Sequence, residues 1–105
     1  MNGKLLALDL KFNASLTWIA LYENEIGDEG AKEIAEALKV NTSLTYINLR
    51  DNNIGDEGAS AIAKGIQENK NCVLEELNLY CNQIKVEGAK SLAEMLKFNA
   101  SLKKI

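Results

Sequence analysis

Two spacings of apolar residues alternate along this chain. Over Leu44–Leu49, apolar Ile47 and Leu49 are separated by a polar residue, the period-two pattern of a strand with one buried face. After Asn52 the period changes. Ala59, Ile62, Ala63 and Ile66 recur at helical spacing, as do Ala31, Ile34, Ala35 and Leu38. The pattern predicts strands near 17–21, 45–49, 75–79 and 103–105. It predicts helices near 4–12, 28–39, 56–68 and 86–97.

The alternation is a repeat. Leu44, Ile47, Leu49, Asn52, Ile54 and Gly55 spell L-x-x-L-x-L-x-x-N-x-I-G, and Leu16, Ile19, Leu21, Asn24, Ile26 and Gly27 spell it upstream. Leu74, Leu77, Leu79, Asn82 and Ile84 spell most of it again. The leading leucines Leu16, Leu44, Leu74 and Leu102 stand 28, 30 and 28 positions apart. The longer step implies two extra residues in the loop Gln67–Cys72, where an insertion bulges outward without disturbing the next strand. The chain divides into a half repeat (4–15), three repeats (16–43, 44–73 and 74–101) and a terminal strand (102–105), all within one domain, 1–105.

Each repeat carries its own punctuation. Asp28 and Asp56 stand where a short side-chain oxygen caps the start of a helix, and Glu29 and Glu57 add charge that suits the helix dipole. Gly30, Gly58 and Gly88 recur at one helical site, which predicts close approach to a neighbouring backbone. Lys85-Val86 replaces the Gly-Asp of 27–28 and 55–56, so the third helix is expected to start weakly. Asn24, Asn52 and Asn82 are placed to bond their own turn and the adjacent one, forming a ladder along the stack. The Asn-x-Ser triplets at Asn13, Asn41 and Asn99 follow the repeat and read as loop geometry.

Taken together, L-x-x-L-x-L-x-x-N-x-I-G-x-x-G-A-x-x-(I/L)-A-x-x-(L/I) resembles the ribonuclease-inhibitor-like leucine-rich repeats, over essentially residues 4–105. The resemblance implies an α/β leucine-rich repeat solenoid, a right-handed β-α superhelix. Parallel strands would line its concave face and helices its convex face, and partners usually dock on the concave side. Ran GTPase-activating protein shares this repeat, so regulation of a GTPase is an alternative function that the resemblance implies. Neither end carries a recognisable polar capping repeat, which solenoids normally need.

Composition narrows the function. A net charge of −3 leaves no basic footprint for nucleic acid or an anionic membrane surface. No apolar run approaches the roughly 20 residues of a membrane span, and the N-terminus lacks the cleavage site of a secretory signal. Cys72 and Cys81 match no common metal spacing and read as reduced thiols of a cytoplasmic protein. The chain has no histidine, no phosphate-binding glycine loop and no base partner for either cysteine, so no enzyme activity, metal or cofactor is expected.

Function is then expected in the variable strand positions. Between the buried leucines, side-chain alternation presents Trp18, Ala20, Tyr22 and Glu23, then Tyr46, Asn48, Arg50 and Asp51, then Glu76, Asn78, Tyr80 and Cys81, with Lys104 at the edge. The one tryptophan and all three tyrosines fall in this set. Trp, Tyr and Arg are frequent interface anchors. The expected partner-binding surface is Trp18, Tyr22, Glu23, Tyr46, Asn48, Arg50, Asp51, Glu76, Asn78 and Tyr80, serving a non-catalytic protein-interaction scaffold. Register puts Trp18 beside Tyr46, and Arg50 between Tyr22 and Tyr80. The helices carry mixed charge and read as solvated, except that Leu5 and Leu8 make the first helix more apolar outside. A terminal strand without its helix and a first helix without its strand are complementary halves. Head-to-tail self-association through 4–12 and 102–105 is therefore a further alternative, as for an excised or engineered fragment.

Overall fold

The computed structural model describes residues 13–105. Strands β1 (Trp18–Ala20), β2 (Tyr46–Asn48) and β3 (Glu76–Asn78) alternate with helices α1 (Gly27–Leu38), α2 (Asp56–Glu68) and α3 (Val86–Phe98). The strands form one parallel sheet in the order β1-β2-β3, with Trp18 opposite Tyr46 and Tyr46 opposite Glu76. Parallel neighbours need a crossover, and each helix supplies one. Adjacent strands pack about 4.8 Å apart and adjacent helices about 8–10 Å, so the stack curves with the sheet inside.

The core lies between sheet and helices. Ile47, Leu49, Ile54, Ile62 and Leu77 are each fully buried, and Leu44, Ile66 and Leu74 nearly so. Burial of one such side chain contributes about 1.5–3 kcal/mol. The strands are shorter than the alternation predicts, but their hydrogen bonding continues past their ends. The Leu21 amide donates to the Asn48 carbonyl at 2.8 Å, and the Glu23 amide to the Arg50 carbonyl at 3.0 Å. The fourth strand, expected at 103–105, is a single bridge between Glu76 and Lys104. The helix expected at 4–12 lies outside the described residues.

The asparagine ladder forms. Asn52 Oδ1 accepts from the Asn24 amide (2.8 Å) and the Ile26 amide (3.4 Å), while its Nδ2 donates to the Leu21 and Arg50 carbonyls. Asn82 repeats this one coil on, accepting from the amides of Asn52 and Ile54. A second row, at the opposite turn, accounts for the Asn-x-Ser triplets. Asn13, Asn41 and Asn99 each accept from the two amides two and three residues ahead. Asn69 Nδ2 also reaches back to the carbonyls of Leu38 and Asn41.

The insertion corrects the expected loop. The helix runs to Glu68, and the two extra residues lie between Asn69 and Leu74, with a turn at Lys70–Asn71. The strand register survives the bulge, but the second asparagine row does not. Among the described residues, Asn99 Nδ2 has no counterpart to the bonds Asn69 makes, and a cleft of about 460 Å³ opens between Ile66, Asn69 and Asn99.

Three expectations about helix starts are overturned by one geometry. Neither Asp28 nor Asp56 caps its own helix. Each lies in the first helical turn and leans along the stack, so its carboxylate reaches the next coil. Asp28 Oδ1 accepts from the amides of Gly55 (2.7 Å) and Gly58 (2.9 Å), and Asp56 Oδ1 from Lys85 (2.6 Å) and Gly88 (3.0 Å). The third helix is therefore capped by Asp56 despite its Lys-Val start. What Val86 changes is that its own coil offers no such carboxylate onward. Gly58 and Gly88 make room for side chains, not backbone: a Cβ on Gly58 would stand 2.7 Å from Asp28 Oδ1, and one on Gly88 2.8 Å from Asp56 Oδ1. Gly65 is the position that meets a neighbouring backbone, with the Ala35 carbonyl oxygen 2.5 Å from where its Cβ would be.

Candidate functional site: the concave strand face

Alternation about the half-buried Ile19 and the buried Ile47 and Leu77 sends their neighbours to the open side of the sheet. Trp18, Tyr22 and Tyr80 are 58%, 54% and 65% exposed, whereas Ile47 and Leu77 on the other face are at 0%. The rings of Trp18 and Tyr46 stack with centroids 5.0 Å apart and planes 7° from parallel. The register sets this pair, since the two residues are direct partners across β1 and β2. Such a pair contributes about 0.5–1.5 kcal/mol beyond its burial.

The next row is polar. Asn48 Oδ1 accepts from the Arg50 amide at 3.0 Å, and Asn78 Oδ1 from the Tyr80 amide at 2.9 Å. An N–H must meet an oxygen, so these bonds fix both side-chain amides with their NH2 groups turned away from the backbone. Among the described residues neither Nδ2 has a partner in the chain.

Beyond them, Arg50 is held twice. Its Nε donates to Asp51 Oδ2 at 3.1 Å, and its guanidinium carbon lies 5.4 Å from the centre of the Tyr80 ring. The expected place between two tyrosines is thus a cation–π contact with Tyr80 alone, among the described residues. Glu23, Asp51 and Cys81 end the strands with φ of 59°, 55° and 57°. That left-handed turn interrupts the alternation and sets all three on the rim of the face. Glu25 shares this left-handed backbone at φ 52° and is exposed. It was missed by alternation because it lies beyond the strand; its place one residue after the ladder's Asn24 was the available signal. Glu76 stands opposite Lys104 in the register.

Among the described residues no group of three side chains is placed to hold a metal ion, and both cysteines are free, Cys72 half-buried and Cys81 exposed. No described helix is long and apolar enough to cross a membrane.

This stack of strand–asparagine–helix coils has known counterparts. A family model described as Leucine Rich repeat matches residues 13–35, 40–63 and 70–93. The chain belongs to the leucine-rich repeat family. Its matches begin in the loop before each strand and end inside each helix, so they cover the coil seen here. No curated protein matches the chain significantly. Among solved structures 43 chains match. One, described as "Leiomodin-1 Actin-Binding Site 2 (ABS2)", superposes with a TM-score of 0.83 at 26% identity over 99% of this chain. This leucine-rich repeat chain spans 62% of the length of that structure.

Proposed function

We propose that this leucine-rich repeat chain is a non-catalytic scaffold, working in the cytoplasm, that binds a protein partner through its concave strand face. Trp18, Tyr22, Tyr46, Arg50 and Tyr80 are the anchors; Glu23, Asp51, Glu76, Asn48 and Asn78 set polarity and orientation. The observation that carries the reading is the segregation of the tryptophan and the tyrosines. The one tryptophan and three tyrosines share one face, three of them more than half exposed, where they add little to the core. The leiomodin-1 structure is described as an actin-binding site, which supports a protein partner and makes actin the first one to test.

The test is affinity capture with the parent chain and a Trp18→Ala/Tyr46→Ala variant whose fold is checked by circular dichroism. Capture that falls at least about tenfold, or roughly 1.4 kcal/mol, supports the face. Equal capture by the two proteins sinks it. The alternative of GTPase regulation rests on the family resemblance, and a purified GTPase whose hydrolysis rate is unmoved by the domain would remove it.

A second reading has one observation behind it. The outer side of α3 and β3 bounds an apolar cleft of about 620 Å³, lined by Leu79, Leu92, Leu96 and Ile105. One coil earlier the equivalent Leu49, Ile62 and Ile66 are covered by the following coil. The cleft therefore has the form of a coil, and residues 4–12 of a second copy, pairing with 102–105, would supply half of one. Light scattering that finds only monomer at high concentration would remove this reading.

A further inference from the structure

The helix side of this molecule has settled its charges internally; the strand side has not. On the helices Glu29, Glu57, Glu36, Glu68, Glu87 and Glu94 each lie 3.0–3.9 Å from a lysine Nζ. Of the described helix glutamates only Glu33 lacks such a partner. On the strand side Arg50 is paired with Asp51, and Lys103 with Glu75 just before β3. Glu23 and Glu25, which follow Tyr22 past the end of β1, have no cation paired with them among the described residues. Glu76 has only Lys104 in register, with no ion pair between them. The face thus has the Trp18–Tyr46 stack at one end of its strands and unpaired carboxylates past the other, with Asn48 and Asn78 between them.

The middle of the face adds a second requirement. Asn48 and Asn78 offer two NH2 groups on adjacent strands that have no partner among the described residues, so an occupant must bring acceptors there. A helix has already committed its interior carbonyls to itself, whereas an extended segment has carbonyls to give. Phosphate would satisfy the donors but meets the uncompensated carboxylates, so nucleic acid does not fit.

Resting on the strand-face reading above, we infer that the occupant is an extended basic polypeptide segment. An aromatic or branched aliphatic side chain lies on the Trp18–Tyr46 stack, backbone carbonyls accept from Asn48 and Asn78, and a lysine or arginine about four to five residues further along the segment meets Glu23 and Glu25.

The experiment is selection of a random heptapeptide phage library on the purified protein. Enriched sequences are remade as tryptophan-free synthetic peptides and titrated while the emission of the single tryptophan is read. The expected winners carry Lys or Arg about four to five positions from an aromatic or branched aliphatic residue. They shift Trp18 emission, weaken as salt is raised, and lose about threefold or more against a Glu23→Gln/Glu25→Gln variant. Acidic or uncharged winners that shift Trp18 emission overturn the basic occupant while leaving the strand face standing. Winners that bind the Trp18→Ala/Tyr46→Ala variant as well as the parent overturn both. Absence of any enrichment above an unrelated protein overturns this inference alone, since affinity capture of a folded partner tests the face separately.

Discussion

Asp28 Oδ1 lies 2.9 Å from the backbone nitrogen of Gly58, one coil further along the chain. A carboxylate in the first turn of one helix thus caps the next, and the glycine exists to let it in. Two expectations follow. Asp28→Ala removes an acceptor from two amides and should cost about 1–2 kcal/mol. Gly58→Ala should gain up to about 1 kcal/mol from helix propensity alone. The added methyl, however, would meet Asp28 Oδ1 at 2.7 Å and the Ala31 Cβ at 2.9 Å. Crowding of that kind costs about 1–3 kcal/mol, so the net effect is destabilising. Urea unfolding of both variants decides it, and a stabilised Gly58→Ala would contradict the close approach.

Asn52 is fully buried and joins two coils through its side-chain amide. Asn52→Leu keeps the branched shape but leaves the Asn24 and Ile26 amides without their acceptor, while the Leu21 and Arg50 carbonyls keep Asn24 Nδ2 and the Glu23 amide. Each buried group left without a partner costs about 1–3 kcal/mol, so a loss of about 2 kcal/mol or more is expected. Asn52→Asp retains the acceptor and loses the donors, and should fall between the parent and the leucine variant. Thermal unfolding in that order is the check; a leucine variant as stable as the parent would mean the ladder is idle.

Lys32 spans two coils on the helix side, with Nζ 3.3 Å from both Glu29 and Glu57. Its hydrogen bonds to Glu29 and then Glu57 raise its pKa above the ordinary lysine value of 10.5. A cation whose pKa is raised by folding contributes stability that is fully present below the unfolded value. That contribution disappears as pH climbs through the folded value. Between pH 10 and 12 the parent should therefore lose more stability than a Lys32→Met variant. Parallel pH profiles for the two would contradict the assignment.

The insertion after Asn69 offers a gain. Replacing Lys70–Val73 by Ala-Ser recreates the Asn-Ala-Ser-Leu of 99–102 and shortens the 30-residue step to 28. Asn99 Nδ2 could then donate to the carbonyls of Ile66 and Asn69, as Asn69 does to Leu38 and Asn41. A net hydrogen bond contributes about 0.5–1.5 kcal/mol, and the variant should be more stable by about that much. Calorimetry showing a lower Tm would mean the longer loop supports the neighbouring coil in its own way.

What could be read from the chain followed from what repeats in it. Ile47, Leu49 and Asn52 recur with their neighbours, so their burial and their ladder were legible from spacing, and the Trp18–Tyr46 pair followed from register. The role of Asp28 was not legible in the same way. A residue before a helical run reads as a cap for that run, and only the tilt of the coil turns it onto Gly55 and Gly58. The break at Asn99 was hidden for a related reason. Residue counting gives the size of an insertion but not which side-chain bond it displaces. Glu23 was placed on the strand face by alternation that its left-handed backbone does not obey.

Tyr46 and Ile47 separate the two uses of a strand in adjacent residues. Ile47 is fully buried among the core residues, whereas Tyr46 leans on Trp18 over the open side. Ile47→Ala should cost about 2–5 kcal/mol, because the lost transfer energy and the cavity add. Tyr46→Ala removes one stacked ring from a half-exposed position and should cost only about 0.5–1.5 kcal/mol. Binding should invert the order. The Ile47 variant, studied below its lowered Tm, keeps the face and should capture a partner nearly as well as the parent. The Tyr46 variant, with its fold intact, should not. Because stability and capture are measured on the same two proteins, a Tyr46 variant that is both stable and fully competent to bind would remove the aromatic stack from the contact surface. Its role would then be confined to holding β1 against β2.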